Sequence, residues 1–78
     1  MKIYWDGNAK NIIGPKIKKL RKAANLTQEG LAVALQLEGY AFTSLTILRI
    51  ENGTRFVPDY EVKQLARYFH VPYEELLD

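Results

Sequence analysis

Residues 43–55, TSLTILRIENGTR, carry two conflicting signals. Leu45-Thr46-Ile47-Leu48-Arg49-Ile50 is rich in β-branched and aliphatic side chains, a composition that favours strands. Glu51-Asn52-Gly53 instead has the form of a helix running out at a glycine. Read as a strand, Leu45, Ile47 and Arg49 share one face while Thr46, Leu48 and Ile50 share the other, so neither face is cleanly apolar. Read as a helix capped by Thr43, Ile47 and Ile50 fall on one side, with Thr46 and Glu51 at its margins. Ser44, Leu45, Leu48 and Arg49 then lie on the opposite side. The helix sorts the side chains better, and no second strand-like run in the body of the chain offers a partner. Packing overrides a weak local propensity, and the segment is read as a helix over 44–52.

The same periodicity extends in both directions. Upstream, Ile13, Ile17, Leu20 and Ala24 recur at helical spacing, giving a first helix over 12–25. Asn11 or Gly14 is its cap, and Pro15 is acceptable in a first turn. Lys16, Lys18, Lys19 and Lys22 point largely away from the apolar stripe. Arg21 lies on the flank of that stripe, about 60–80° from its centre, where a partly buried charge requires a partner. Thr27 caps a second helix over 28–38, with Leu31, Ala32, Leu35 and Leu37 as its inner side. Gly39 ends it. In the connection EGYAF, residues 38–42, Phe42 is read as a plug for the core edge and as the first half of a hydrophobic staple.

Downstream of the turn NGTRFVPD, Asp59 is the cap of a fourth helix over 60–69, with Val62, Leu65, Ala66 and Phe69 inward. His70 is read as a capping or surface residue. A last turn over 73–77 brings Leu76 and Leu77 onto the core. The expected architecture is therefore all-α, with residues 11–78 forming one domain and residues 1–10 a short N-terminal extension. Within that extension Ile3, Tyr4 and Trp5 form an apolar cluster, read as packing on the core or mediating dimerisation.

Composition narrows the function. Seventy-eight residues, 47% hydrophobic and 26% charged, describe a single small globular domain rather than a disordered chain. There is no cysteine, which removes disulfides, thiolate metal sites and a thiol nucleophile. One histidine cannot build a histidine metal cluster, so no metal, no cofactor and no catalytic residue is assigned. No apolar run reaches the roughly 18 residues that a membrane span needs, and the N-terminus lacks the apolar stretch of a secretory signal. A cytoplasmic protein that is not an enzyme is expected. Net charge is only +2, yet residues 1–37 hold seven Lys/Arg against two acids, and residues 38–78 hold four against seven. Such a basic half is either a solvated helix face or a surface for phosphates.

Taken in order, LTQEGLA, TILRIENGTR and LARYFHVPYEELL resemble the Xre-type, lambda-repressor-like helix-turn-helix family over Ile12 to Leu77. The resemblance implies a compact five-helix domain whose third helix enters the DNA major groove. It implies that Ser44, Leu45 and Arg49 read bases. Gln28, Thr43, Asn52, Thr54 and Arg55 then meet the sugar-phosphate backbone, with Lys16, Lys10 and Lys2 adding attraction to phosphate. Arg21 and Glu51 match a buried structural salt bridge of the family, which supplies the partner that Arg21 requires. The implied protein is a repressor of transcription acting by operator occupancy, a homodimer on a palindromic double-stranded site, with no small-molecule effector. Two features depart from the family pattern. The link between the second and third helices is about five residues longer than usual, and the reading face carries Leu45 and Leu48 with only one strong hydrogen-bonding reader, Arg49. Two exposed leucines also suit a protein partner, so an interaction module of the antitoxin, antirepressor or adaptor kind is the alternative.

Overall fold

The computed structural model describes residues 9–77; Lys2 and the Ile3-Tyr4-Trp5 cluster lie outside the described residues. Among the described residues there are five helices and no strand: α1 (Gly14–Ala23), α2 (Gln28–Leu37), α3 (Ser44–Glu51), α4 (Asp59–Phe69) and α5 (Tyr73–Leu77). None is long and apolar enough to cross a membrane.

The helix ends follow from local hydrogen-bond chemistry. Asn11 Oδ1 accepts from the Gly14 N–H at 2.8 Å, and the regular α1 begins at Gly14, two residues later than the expected start at residue 12. Thr27 and Thr43 cap α2 and α3 by accepting from the N–H groups of Gly30 and Thr46. Asp59 proves to be the first residue of α4 rather than its cap. Pro58 precedes it in an extended conformation, and Asp59 and Glu61 place negative charge against the positive helix end.

Four helices then stop in the same way. The N–H of Leu26, Tyr40, Thr54 and Val71 reaches back to the carbonyl of Arg21, Leu35, Arg49 and Ala66 respectively, and in each case the preceding residue is left-handed. Those left-handed residues are Asn25, Gly39, Gly53 and His70, with φ of 60°, 90°, 80° and 58°. The early stop at Asn25 explains why Ala24, expected in the apolar stripe, is exposed.

Ile13 and Ile17 from α1, Leu31, Ala32 and Leu35 from α2, Phe42, and Ile47 and Ile50 from α3 form one buried cluster. Val62, Leu65 and Ala66 from α4 and Leu76 from α5 close it. Besides Ala24, four expected core residues fall outside: Leu37, Leu77, Leu20 and Phe69, the last of which only packs against the cluster. Leu37 lies two residues past Leu35, on the far side of α2, and is 83% exposed. Leu77 follows Leu76 onto the outer side of α5, and Leu20 only packs against the cluster edge. The α2–α3 connection is itself packed: Phe42 is buried, and Gln36 Nε2 donates to the Phe42 carbonyl at 2.6 Å.

α1 approaches α3 closely because Gly14 sits beneath its last turn. A Cβ there would overlap the Ile50 carbonyl oxygen and lie 3.1 Å from that of Glu51. Gly14→Ala is therefore expected to destabilise the fold by about 1–3 kcal/mol, seen as a lower midpoint in thermal unfolding. His70→Gly should do the reverse, by up to about 1 kcal/mol, because it removes the side-chain clash of a left-handed residue. A fall in the midpoint on that change would mean that the imidazole holds something the backbone conformation does not explain.

Candidate nucleic-acid interface

The outer face of α3 is the part of this helix that the core leaves free. Ile47 and Ile50 are fully buried, which turns Ser44, Leu45, Leu48 and Arg49 to solvent. Leu45 and Leu48 are 49% and 41% exposed. Among the described residues no side-chain partner holds the Arg49 guanidinium, so it remains available to a ligand.

At the end of α3 the chemistry is different. The Glu51 carboxylate is almost wholly buried, with 4% of its side chain exposed. Arg21 Nε donates to Oε2 at 2.7 Å and Nη2 to Oε1 at 3.0 Å, a two-pronged charge-assisted pair. A third donor comes from Gln28 Nε2, 3.1 Å from Oε1. The remaining arm of Arg21 donates through Nη1 to the Leu26 carbonyl at 2.8 Å. One carboxylate thus joins α1, the turn before α2, the first residue of α2 and the last turn of α3. The hydrogen bond to Glu51, opposed by burial, holds the Arg21 guanidinium above its ordinary pKa. A raised cationic group contributes fully at every pH below its unfolded value and is lost only as pH rises through the folded one. The arginine side of this pair therefore adds no pH dependence near neutrality.

The turn after α3 presents a second set of polar groups. Asn52 Oδ1 accepts from the Thr54 N–H at 3.1 Å and from its hydroxyl at 2.7 Å. The acceptor of Asn52 is consumed within the turn, while its amide donors face no acceptor among the described residues. Thr43 Oγ1 caps α3 and also pairs with Thr46 Oγ1 at 2.9 Å, yet both residues keep surface exposure. At the start of α2 the Thr27 hydroxyl takes only the Gly30 N–H, so the N–H groups of Gln28 and Glu29 have no intrahelical acceptor.

Two residues assigned to the phosphate contacts are engaged otherwise. Lys16 lies on the side of α1 opposite Gly14, Ile17 and Arg21, and its Nζ donates to the Glu75 carbonyl at 2.6 Å. It belongs to the seam between α1 and α5, because the helical spacing that turns Ile17 and Arg21 to α3 turns Lys16 away. Arg55 is paired with Glu61, through Nη1 to Oε1 at 2.5 Å and Nη2 to Oε2 at 3.1 Å. Glu61 is a buried acid to which the sequence gives no signal of a partner. Its six-residue separation from Arg55 spans the Pro58 turn and matches no helical spacing that would reveal the pair. Asn11 was read only as a cap, yet its Nδ2 also donates to the carbonyls of Ile50 and Arg55.

A fold of five short helices, with the second and third joined by a turn and the third presenting its outer face, defines a helix-turn-helix domain. A family model described as a helix-turn-helix domain matches residues 14–78, and the chain belongs to that family. It is an Xre-type domain in fold and motif order. Two solved structures resemble it: the DNA-binding domain of BldD, and that of BldD from S. venezulae. Each is 24% identical with a TM-score of 0.70, over 86% and 85% of this chain and 90% and 91% of the respective structures. At that identity the likeness speaks for the fold. A comparison with curated proteins finds no match.

The network at Glu51 makes a direct prediction. Glu51→Ala leaves the buried Arg21 charge without its anion, and should lower the unfolding free energy by about 3–5 kcal/mol in urea titrations followed by circular dichroism. Glu51→Gln keeps a neutral acceptor in place and should cost clearly less. Equal losses for the two variants would show that packing, rather than charge, sets the worth of this site.

Proposed function

We propose that the protein is a sequence-specific double-stranded DNA-binding regulator of transcription, acting as a repressor by occupying its operator with α3 in the major groove. The observation that carries this reading is the solvent-facing set Ser44, Leu45, Leu48 and Arg49 on a helix whose other side is locked into the core. Arg49 suits the O6 and N7 acceptors of guanine, and Leu45 suits a thymine methyl group. Ser44 adds a short hydroxyl reader. Gln28, the free N–H groups at the start of α2, Thr43, Asn52 and Thr54 would fix the register on phosphates and sugars.

Several features support the reading. The BldD structures of the same fold are those of DNA-binding domains. The Gln28–Glu51 hydrogen bond couples the proposed backbone ligand to the helix that would read bases. One module offers few base contacts, so a symmetric dimer on a palindromic site follows from the affinity required of a regulator. Occupancy needs no cofactor and no effector. The exposed leucines favour the second reading, a protein-binding module using the Leu45/Leu48 face, and the same experiment separates the two.

A labelled random duplex is titrated with the protein at low and at moderate salt, and bound sites are then selected from a random pool. DNA binding at low salt that weakens steeply with salt is expected, followed by recovery of paired half-sites. Arg49→Ala should relax preference at one position per half-site, by about 1–3 kcal/mol of discrimination. Gln28→Ala should weaken all duplexes alike. Absence of binding at low salt would remove the DNA reading in favour of the protein partner.

A further inference from the structure

Arg55 stands where a phosphate ligand is expected, but its charge is already spent. Both hydrogens of Nη1 are used, one on Glu61 Oε1 and one on the Phe56 carbonyl at 3.1 Å, and Nη2 takes Glu61 Oε2. The Glu61 side chain is 9% exposed and that of Arg55 32%, so the pair is mostly enclosed. A phosphate approaching this guanidinium would meet a carboxylate that cancels most of its attraction.

Asn11, Arg55 and the Lys10 N–H restrain the backbone around the turn. Asn11 Nδ2 holds the carbonyls of Ile50 at 3.1 Å and Arg55 at 2.8 Å, while its Oδ1 caps α1. Arg55 holds the carbonyl of Phe56. The Lys10 N–H donates to the Gly53 carbonyl at 2.6 Å. Carbonyls on both sides of Asn52-Gly53-Thr54 are thus tied to the segment that leads into α1 and, through Glu61, to the first turn of α4. The turn between them carries the free amide donors of Asn52.

We propose that Asn11, Arg55 and Glu61 form a latch that sets the position of the Asn52–Thr54 turn relative to α3, so that Arg55 is a positioning residue for DNA rather than a phosphate ligand. The inference rests on the DNA-binding reading above. Its signature is that losing the acid weakens binding even though the protein becomes more positive. A phosphate ligand freed from its acid would bind tighter.

The test uses the full chain and a fluorescein-labelled duplex recovered by the selection above, with the dissociation constant followed against salt by anisotropy. Circular dichroism at the assay temperature verifies that each variant is folded. Glu61→Gln and Arg55→Ala are each expected to weaken binding about tenfold, the scale of one charge-assisted hydrogen bond. Neither should change the slope of log affinity against log salt. Arg55→Lys, which keeps the charge but cannot span both carboxylate oxygens, should lose nearly as much and gives the same reading if the alanine variant fails to fold. Three results would overturn the latch: a slope flattened by about one unit in Arg55→Ala, tighter binding by Glu61→Gln, or lower thermal midpoints with unchanged affinity. A wild-type chain that ignores duplex DNA at low salt removes the DNA reading itself and the latch with it, which distinguishes the two failures.

Discussion

The buried carboxylate of Glu51 is the constraint on which the rest of the arrangement depends. It stands in the last turn of α3, where the unsatisfied carbonyls already concentrate partial negative charge. An anion there, removed from water, is unfavourable unless cations and donors surround it. Arg21 and Gln28 meet that demand with three N–H groups, and the Leu26 carbonyl engages the arginine arm that Glu51 does not use. Because a well-packed apolar substitute would match such a pair in energy, its physical value is geometric. It permits one rotation of α3 about its own axis, the one that seats Ile47 and Ile50 and turns Arg49 outward. A helix of eight residues with an apolar outer face has few other means of choosing which side to bury.

The electrostatics divide along the same line. Of the three arginines nearest the α3 region, Arg21 and Arg55 are neutralised by Glu51 and Glu61, and Arg49 is left to solvent. Lys18, Lys19 and Lys22 are exposed on α1, and Lys16 is drawn to α5. Under the proposed function, the exposed lysines of α1 would act as a broad field around the molecule rather than as phosphate ligands in register. Such a field would raise the encounter rate and nonspecific affinity. Selectivity would then fall to a few short-range groups on α3 and the turn behind it.

What could be read from the sequence was what periodicity and caps encode. Five helices, the inward isoleucines of α3, the Thr27 and Thr43 caps and the need of Arg21 for a partner were all visible in spacing alone. The family resemblance named Glu51 as that partner. The helix ends were less legible, because Asn25 adopts a left-handed conformation that its residue type permits without requiring. Leu37 and Leu77 misled for a simpler reason: hydrophobicity marks a candidate for burial, while the rotation of the helix decides the matter. Glu61 was hidden because its pair with Arg55 crosses a proline turn, where neither the helical nor the strand period applies. Asn11 was half-legible, as a cap, since nothing local shows that its amide reaches carbonyls about forty residues away.

The link between α2 and α3 shows how a connection can be held without releasing the helix that follows it. A slack loop of that length would let α3 drift, since extra loop residues cost little entropy and impose no direction. Here the connecting residues are held at both ends. Gly39 closes α2 in a left-handed turn, Gln36 grips the Phe42 carbonyl, and the Phe42 ring enters the core one residue before the Thr43 cap. Phe42 and Ile47 are then buried on either side of that cap, so the entry angle of α3 is set by packing and not by the length of the link. This also accounts for the strand-like composition of residues 45–50. With its start fixed by Phe42 and Thr43 and its end by Glu51, the segment tolerates β-branched residues whose intrinsic preference lies elsewhere, and those same residues fill the core densely.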